Sequence, residues 1–170
     1  MAGRWRKLIY LVGFMGSGKT SVGKLLAQEM EWPFIDLDTV IEAGQGASIR
    51  EIFERSGEPF FRQIERVALC EVSKKEPAVI ALGGGTFTQK PNFDFIRETG
   101  GVTVWLDCPA EELWQRCSTM DNRPLFRDPE SFVQLFNQRL PFYRQAEVRI
   151  TAGGRSPDDI VREILRLSMF

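Results

Sequence analysis

Residues 8–20 read Leu8-Ile9-Tyr10-Leu11-Val12-Gly13-Phe14-Met15-Gly16-Ser17-Gly18-Lys19-Thr20, and this stretch decides the fold. The apolar opening suits a buried strand, and the segment from Gly13 to Thr20 fills the pattern G-x-x-x-x-G-K-[ST]. A strand that runs through such a loop into a helix is a phosphate-binding arrangement. The glycines let the backbone curl so that several N–H groups point inward at phosphate oxygens, with no side chain in the way. Lys19 can reach the β- and γ-phosphates as a mobile point charge, and the Thr20 hydroxyl can take one position around Mg²⁺. Val22, Leu25, Leu26 and Met30 continue as a helical stripe just past the loop. A glycine-rich turn without a ligand would leave that context unexplained. The loop therefore implies ATP or GTP with Mg²⁺, and says nothing of the acceptor.

At 170 residues the chain corresponds to one domain with a core that needs no covalent staples. Net charge is −1 with both signs interspersed, so no broad nucleic-acid footprint is expected. Cys70, Cys108 and Cys117 are odd in number and lack C-x-x-C spacing, which reads as reduced thiols in a cytosolic protein. Histidine is absent altogether. That excludes Ser-His-Asp hydrolysis, histidine base chemistry and histidine metal ligation, and leaves acid–base work to carboxylates, lysine or tyrosine. Arg4, Arg6 and Lys7 before an apolar run resemble a secretory leader, but the run is short and leads into the phosphate loop. No segment is long enough to span a bilayer, so no membrane association is expected.

Apolar runs at 8–12, 34–37, 78–82, 102–106 and 148–150 alternate with helical stretches. This alternation predicts an α/β fold, a parallel sheet with helices on both faces. Ser48-Ile49-Arg50-Glu51 reads as a capping box, and Asp128-Pro129 and Ser156-Pro157 each set a capping side chain before a first-turn proline. Ile160, Val161, Ile164 and Leu165 give the last helix an apolar stripe. The polar stretch 118–128, with Asp121, Asn122, Arg123, Pro124 and Arg127, is expected to be a mobile loop that closes as a lid.

An acceptor should bind at the strand ends. Asp36-Leu37-Asp38 closes the second apolar run, and if the strand continues both carboxylates face one way, as a pair near Mg²⁺. A plain acidic strand end or helix cap is an equal reading. Gly83-Gly84-Gly85 follows the third run, and three glycines favour close approach to a ligand over a simple turn. Arg62 in Phe60-Phe61-Arg62-Gln63-Ile64-Glu65 and Arg139 before Leu140-Pro141-Phe142-Tyr143 are arginines beside aromatics. Most such residues are surface side chains lying over apolar neighbours, and some bind anions.

In order, Gly-x-Met-Gly-Ser-Gly-Lys-Thr-Ser-Val-Gly-Lys-x-Leu-Ala, Phe-Ile-Asp-x-Asp, Glu-x-x-Phe-Arg-x-Ile-Glu, Gly-Gly-Gly, Asn-Arg-Pro-Leu and Arg-x-Pro-x-Tyr resemble the shikimate kinases. The resemblance extends over residues 8–157, and order and spacing make it specific. It implies a P-loop fold like that of nucleoside monophosphate kinases: a five-stranded parallel sheet, a substrate-binding region near 39–65 and a lid near 118–128, all in one domain. It also implies transfer of the ATP γ-phosphate to the 3-hydroxyl of shikimate, a step toward chorismate and the aromatic amino acids.

By position, the resemblance assigns Gly16, Ser17, Gly18, Lys19, Thr20 and Ser21 to the nucleotide, and Thr20 and Asp36, the latter through water, to Mg²⁺. Asp38 and Gly84 would hold the shikimate hydroxyls, Gly83 and Gly85 would also bind the substrate, and Arg62 and Arg139 would grip its carboxylate. Arg123 would reach the phosphates from the lid, and Arg116 and Pro157 would flank adenine. The chemistry agrees, because shikimate pairs a carboxylate, which suits bidentate cations, with vicinal hydroxyls that suit a carboxylate acceptor. Asp38, or less favourably Asp36, would orient or accept the hydroxyl proton. The chain is further expected to be cytoplasmic and a monomer. One departure is Phe126 in the lid, where a second leucine is commoner in the family. A gluconate-kinase-like enzyme would share the loop and sheet but should lack Asp38, Arg62, the triple glycine and Arg139 as a set. A non-catalytic relative should have lost Lys19, Asp36, Asp38 or Arg123, and all four are present.

Overall fold

The computed structural model describes residues 6–119 and 128–167. Strands β1 (Leu8–Val12), β2 (Phe34–Asp36), β3 (Ala78–Ala81), β4 (Val102–Asp107) and β5 (Val148–Thr151) form one sheet in the order β2-β3-β1-β4-β5. All pairings are parallel, with Leu11 opposite Ala81 on one side and Val104 on the other. Parallel neighbours need crossover connections. These contain α1 (Lys19–Met30), α2 (Leu37–Gln45), α3 (Ile49–Val72), α4 (Lys90–Thr99), α5 (Ala110–Ser118) and α6 (Pro129–Tyr143), while α7 (Pro157–Arg166) follows β5.

β1 lies in the middle of the sheet and every one of its residues is buried. That explains a continuous apolar run rather than an alternating one. Its carboxyl end opens into the phosphate loop between β3 and β4, where ligands of such sheets bind. Phe14, 1% exposed, anchors the loop from within: its ring meets Phe132 edge-on at 5.0 Å and Phe136 at 5.5 Å, both on α6. Each aromatic pair contributes about 1 kcal/mol beyond its buried area.

The caps read from sequence are formed at Ser48, Asp128 and Ser156. The second strand differs from its expectation. It ends at Asp36 rather than running on through Leu37, because the Asp36 carboxylate accepts a hydrogen bond from Thr39 N–H and caps α2. Asp36 and Asp38 are therefore not alternate residues on one strand face, and Asp38 sits in the first turn of α2.

α3 is two helical segments joined at a kink, where Gly57 adopts φ 77° and Pro59 follows. Proline has no N–H to continue the ladder, so the break has a covalent cause. The second segment carries Phe61, Arg62, Glu65 and Leu69; Phe61, Glu65 and Leu69 are buried against the core. Arg62 is thereby aimed at the turn after β3.

Candidate active site

The phosphate loop is shaped by what holds its carbonyls. Gly13 O accepts from Lys19 Nζ at 2.7 Å, Phe14 O from Lys19 Nζ at 3.1 Å and from Ser17 N–H at 3.2 Å. Gly16 O accepts from Arg116 Nη1 at 2.9 Å. The Cys117 thiol lies 3.6 Å from Met15 O, and the Cys108 thiol 3.9 Å from Ser17 O. Every carbonyl from Gly13 to Ser17 thus has a donor behind it. These donors fix the orientation of the loop's peptide groups, with Ser17 N–H itself used on Phe14 O, in a glycine-rich loop of the kind that offers backbone N–H groups to an anion. Gly18 closes the loop at φ 95°, a conformation that costs glycine little, and begins α1. The Ser17 hydroxyl is buried in the loop with no hydrogen-bond partner among the described residues.

Thr20 follows on α1, and its hydroxyl donates to Asp36 Oδ2 at 3.1 Å. A hydroxyl and a carboxylate oxygen suit Mg²⁺, which keeps most of its waters and takes further oxygens from substrate phosphates.

The second half of the site surrounds Gly83-Gly84-Gly85. None of these three has a positive φ, so conformation is not what demands glycine. Space is. A Cβ on Gly83 would stand 2.8 Å from Asp38 Oδ1, one on Gly84 3.0 Å from Arg139 Nη1, and one on Gly85 2.7 Å from Arg62 Nη2 and 3.2 Å from Arg139 Nη2. The Gly84 position is also 3.6 Å from Met15 N, which sets this turn directly against the phosphate loop. One carboxylate and two guanidinium groups therefore converge on a side-chain-free turn beside a phosphate cradle.

Of the converging groups, Arg62 is braced by carboxylates. Arg62 Nη1 donates to Glu65 Oε1 at 2.9 Å, and its Nε and Nη2 reach the exposed Glu58 at 3.3 and 3.2 Å. Glu65 is 1% exposed and also accepts from the Thr86 hydroxyl at 2.8 Å and from Asn92 Nδ2 at 3.4 Å. Arg139 lies over the Phe14 ring at 5.4 Å, and its Nη1 is enclosed with no hydrogen-bond partner among the described residues. Both arginines lie over aromatic rings, Arg62 over Phe61 at 5.3 Å, and both face the turn. Burial pushes the Asp38 carboxyl up to about 6, with Asp36 adding to the rise, Lys19 opposing it, and Glu65 and Glu42 adding less.

Lys19, Thr20, Asp36, Asp38, Arg62, Gly83–85 and Arg139 are thus brought together. Arg116 is tied to Gly16 O and to Glu112, and Pro157 opens α7. Arg123, with most of the expected lid, lies outside the described residues. Glu65 and Tyr143, whose hydroxyl donates to Gly84 O, were missed as site residues by the sequence reading. Their signal was present in the spacing: Glu65 follows Arg62 by one helical turn, and Tyr143 follows Arg139 by one turn.

The family model described as shikimate kinase matches residues 15–168. The chain belongs to the shikimate kinase family. It is 42% identical over 160 residues to the shikimate kinase of Sulfurihydrogenibium sp. (strain YO3AOP1), a match covering 94% of this chain and 96% of that one. The solved shikimate kinase of Acinetobacter baumannii in complex with shikimate is 39% identical, with a TM-score of 0.90 over 95% of this chain and 92% of that one. A gluconokinase from Sinorhizobium meliloti 1021 superposes with a TM-score of 0.60 over 98% of this chain and 95% of that one, at 20% identity, a likeness of fold alone. Membership in the shikimate kinase family agrees with the five-stranded parallel sheet. Among the described residues no helix is long and apolar enough to cross a membrane.

Proposed function

We propose that this chain is an ATP-dependent kinase that transfers the γ-phosphate of ATP to the 3-hydroxyl of shikimate, giving shikimate 3-phosphate and ADP. The observation that carries this reading is the approach of Asp38, Arg62 and Arg139 to Gly83–85 beside the phosphate loop. A gluconate carboxylate would also suit an arginine, but a gluconate-kinase-like enzyme should lack Asp38, Arg62, the triple glycine and Arg139 as a set.

In this reading Gly16, Ser17, Gly18, Lys19, Thr20 and Ser21 hold the triphosphate. Lys19 exchanges its bonds to the carbonyls of Gly13 and Phe14 for phosphate oxygens. Thr20, and Asp36 through water, hold Mg²⁺, which when bound offsets charge on the β- and γ-phosphates. Arg62 and Arg139 take the shikimate carboxylate, for which planar guanidinium groups are matched. Asp38 and the glycine turn take the hydroxyls. Phosphoryl transfer through a loose transition state asks mainly for positioning and positive charge, so Asp38 need be only a weak base that orients the 3-hydroxyl. Arg116 and Pro157 flank adenine, and Arg123 comes to the phosphates as 118–128 closes and excludes water. One domain supplies the site, with 39–65 as its acceptor region, and the enzyme acts as a cytoplasmic monomer.

The test is coupled ADP release with shikimate, quinate and gluconate offered separately. ADP release with shikimate well above that with the others is expected. Release with gluconate or quinate but not with shikimate would overturn the assignment.

A further inference from the structure

The three carbonyls of the glycine turn are held in different ways. Gly83 O accepts from Thr86 N–H at 3.1 Å, and Gly85 O from Thr88 N–H at 3.2 Å and the Thr88 hydroxyl at 2.7 Å. These are local bonds that close the turn on itself. Gly84 O is bound instead from outside, by the hydroxyl of Tyr143 at the end of α6, at 2.5 Å. Tyr143 is 1% exposed and its ring lies 6.1 Å from Trp105 of β4, so the hydroxyl is delivered by a fixed side chain. Burial pushes its pKa up to about 12 against the opposing effect of Arg139, which keeps the group a donor.

The peptide between Gly84 and Gly85 has no Cβ at either end, so little but this bond resists its rotation. It is trans, and its N–H therefore points opposite to its C=O. We propose that Tyr143 is a positioning residue for the acceptor: by latching Gly84 O, it aims the Gly85 N–H as a donor to bound shikimate. The same α6 face then contributes twice, since Arg139, one turn earlier, faces the same turn. The inference rests on the shikimate reading above.

The experiment compares the unsubstituted protein with Tyr143→Phe, which removes only the hydroxyl and keeps the ring beside Trp105. The KM for shikimate should rise about fivefold, the usual effect of one neutral hydrogen bond, with the KM for ATP unchanged. An unchanged KM for shikimate, or equal losses for both substrates, would overturn the latch. A second readout needs no variant: in the unsubstituted protein, added shikimate should move the Gly85 amide proton downfield in the NMR spectrum. A Gly85 amide that ignores saturating shikimate would overturn the proposal whether or not Tyr143→Phe folds. Failure of the unsubstituted protein to release ADP with shikimate would instead remove the underlying function, and is read in a separate assay.

Discussion

Arg62 and Glu65 meet at 2.9 Å one turn apart on α3, and of the two only Glu65 is sealed from water, at 1% exposure. The buried carboxylate draws on three donors, Arg62, Thr86 and Asn92, so it ties the half-buried arginine to the residue that follows the glycine turn. Glu65→Ala should lower stability by about 2–4 kcal/mol, because buried donors lose their shared acceptor. It should also raise the KM for shikimate more than the KM for ATP. Urea denaturation and steady-state kinetics check both, and a stable variant with unchanged kinetics would contradict the bracing role.

Asp38 carries a cost to the fold. Its carboxyl is pushed up to about 6 by burial and by Asp36, above its value in an unfolded chain. The native state then binds more protons than the unfolded state between about pH 4 and 6, and stability falls as pH rises through that window. Asp38→Asn should be more stable than the original by about 3 kcal/mol at pH 7.5, with the advantage vanishing near pH 4. Denaturation midpoints at both pH values test this. Turnover of the variant should fall with ATP binding retained, and in the original protein activity should decline as pH drops through about 6. If Asp36→Asn abolishes turnover while Asp38→Asn does not, the two roles are exchanged.

Gly85→Ala separates function from folding. Its Cβ would fall 2.7 Å from Arg62 Nη2 and 3.2 Å from Arg139 Nη2, both the far ends of flexible side chains. The guanidinium groups can retreat, so the fold should survive with a stability change under about 1 kcal/mol. Shikimate binding should weaken at least about tenfold because the retreat misplaces both cations. Calorimetric titration with shikimate and with ADP measures the contrast, and equal weakening of both would point to general damage.

Lys19→Met should remove measurable phosphate transfer, since the charge that meets the phosphates is gone. It also removes two bonds that close the loop on itself, to Gly13 O and Phe14 O. A stability loss of about 1–2 kcal/mol is expected from that alone. Residual turnover within tenfold of the original protein would contradict the lysine's role.

The nucleotide half of the site was legible because its chemistry is contiguous: Gly13 to Thr20 is one loop, and the glycine and lysine positions carry their reasons locally. The acceptor half is assembled from α2, α3, the turn after β3 and α6, and no local rule connects Asp38 to Gly83 or Arg62 to Gly85. Only family resemblance joined them before the structure did. The strand expected to extend past Asp36 failed for a local reason, since the same aspartate that ends an apolar run also caps a helix three residues on. Glu65 and Tyr143 escaped because their effect depends on burial, and spacing alone does not separate a buried brace from a surface pair.

The most direct test of the acceptor site is calorimetric titration of shikimate into the original protein and into Arg62→Ala, at a temperature where both are folded. Loss of a guanidinium from the carboxylate site should weaken binding about tenfold to a hundredfold, with ADP affinity unchanged. Unchanged shikimate affinity in Arg62→Ala would contradict the account.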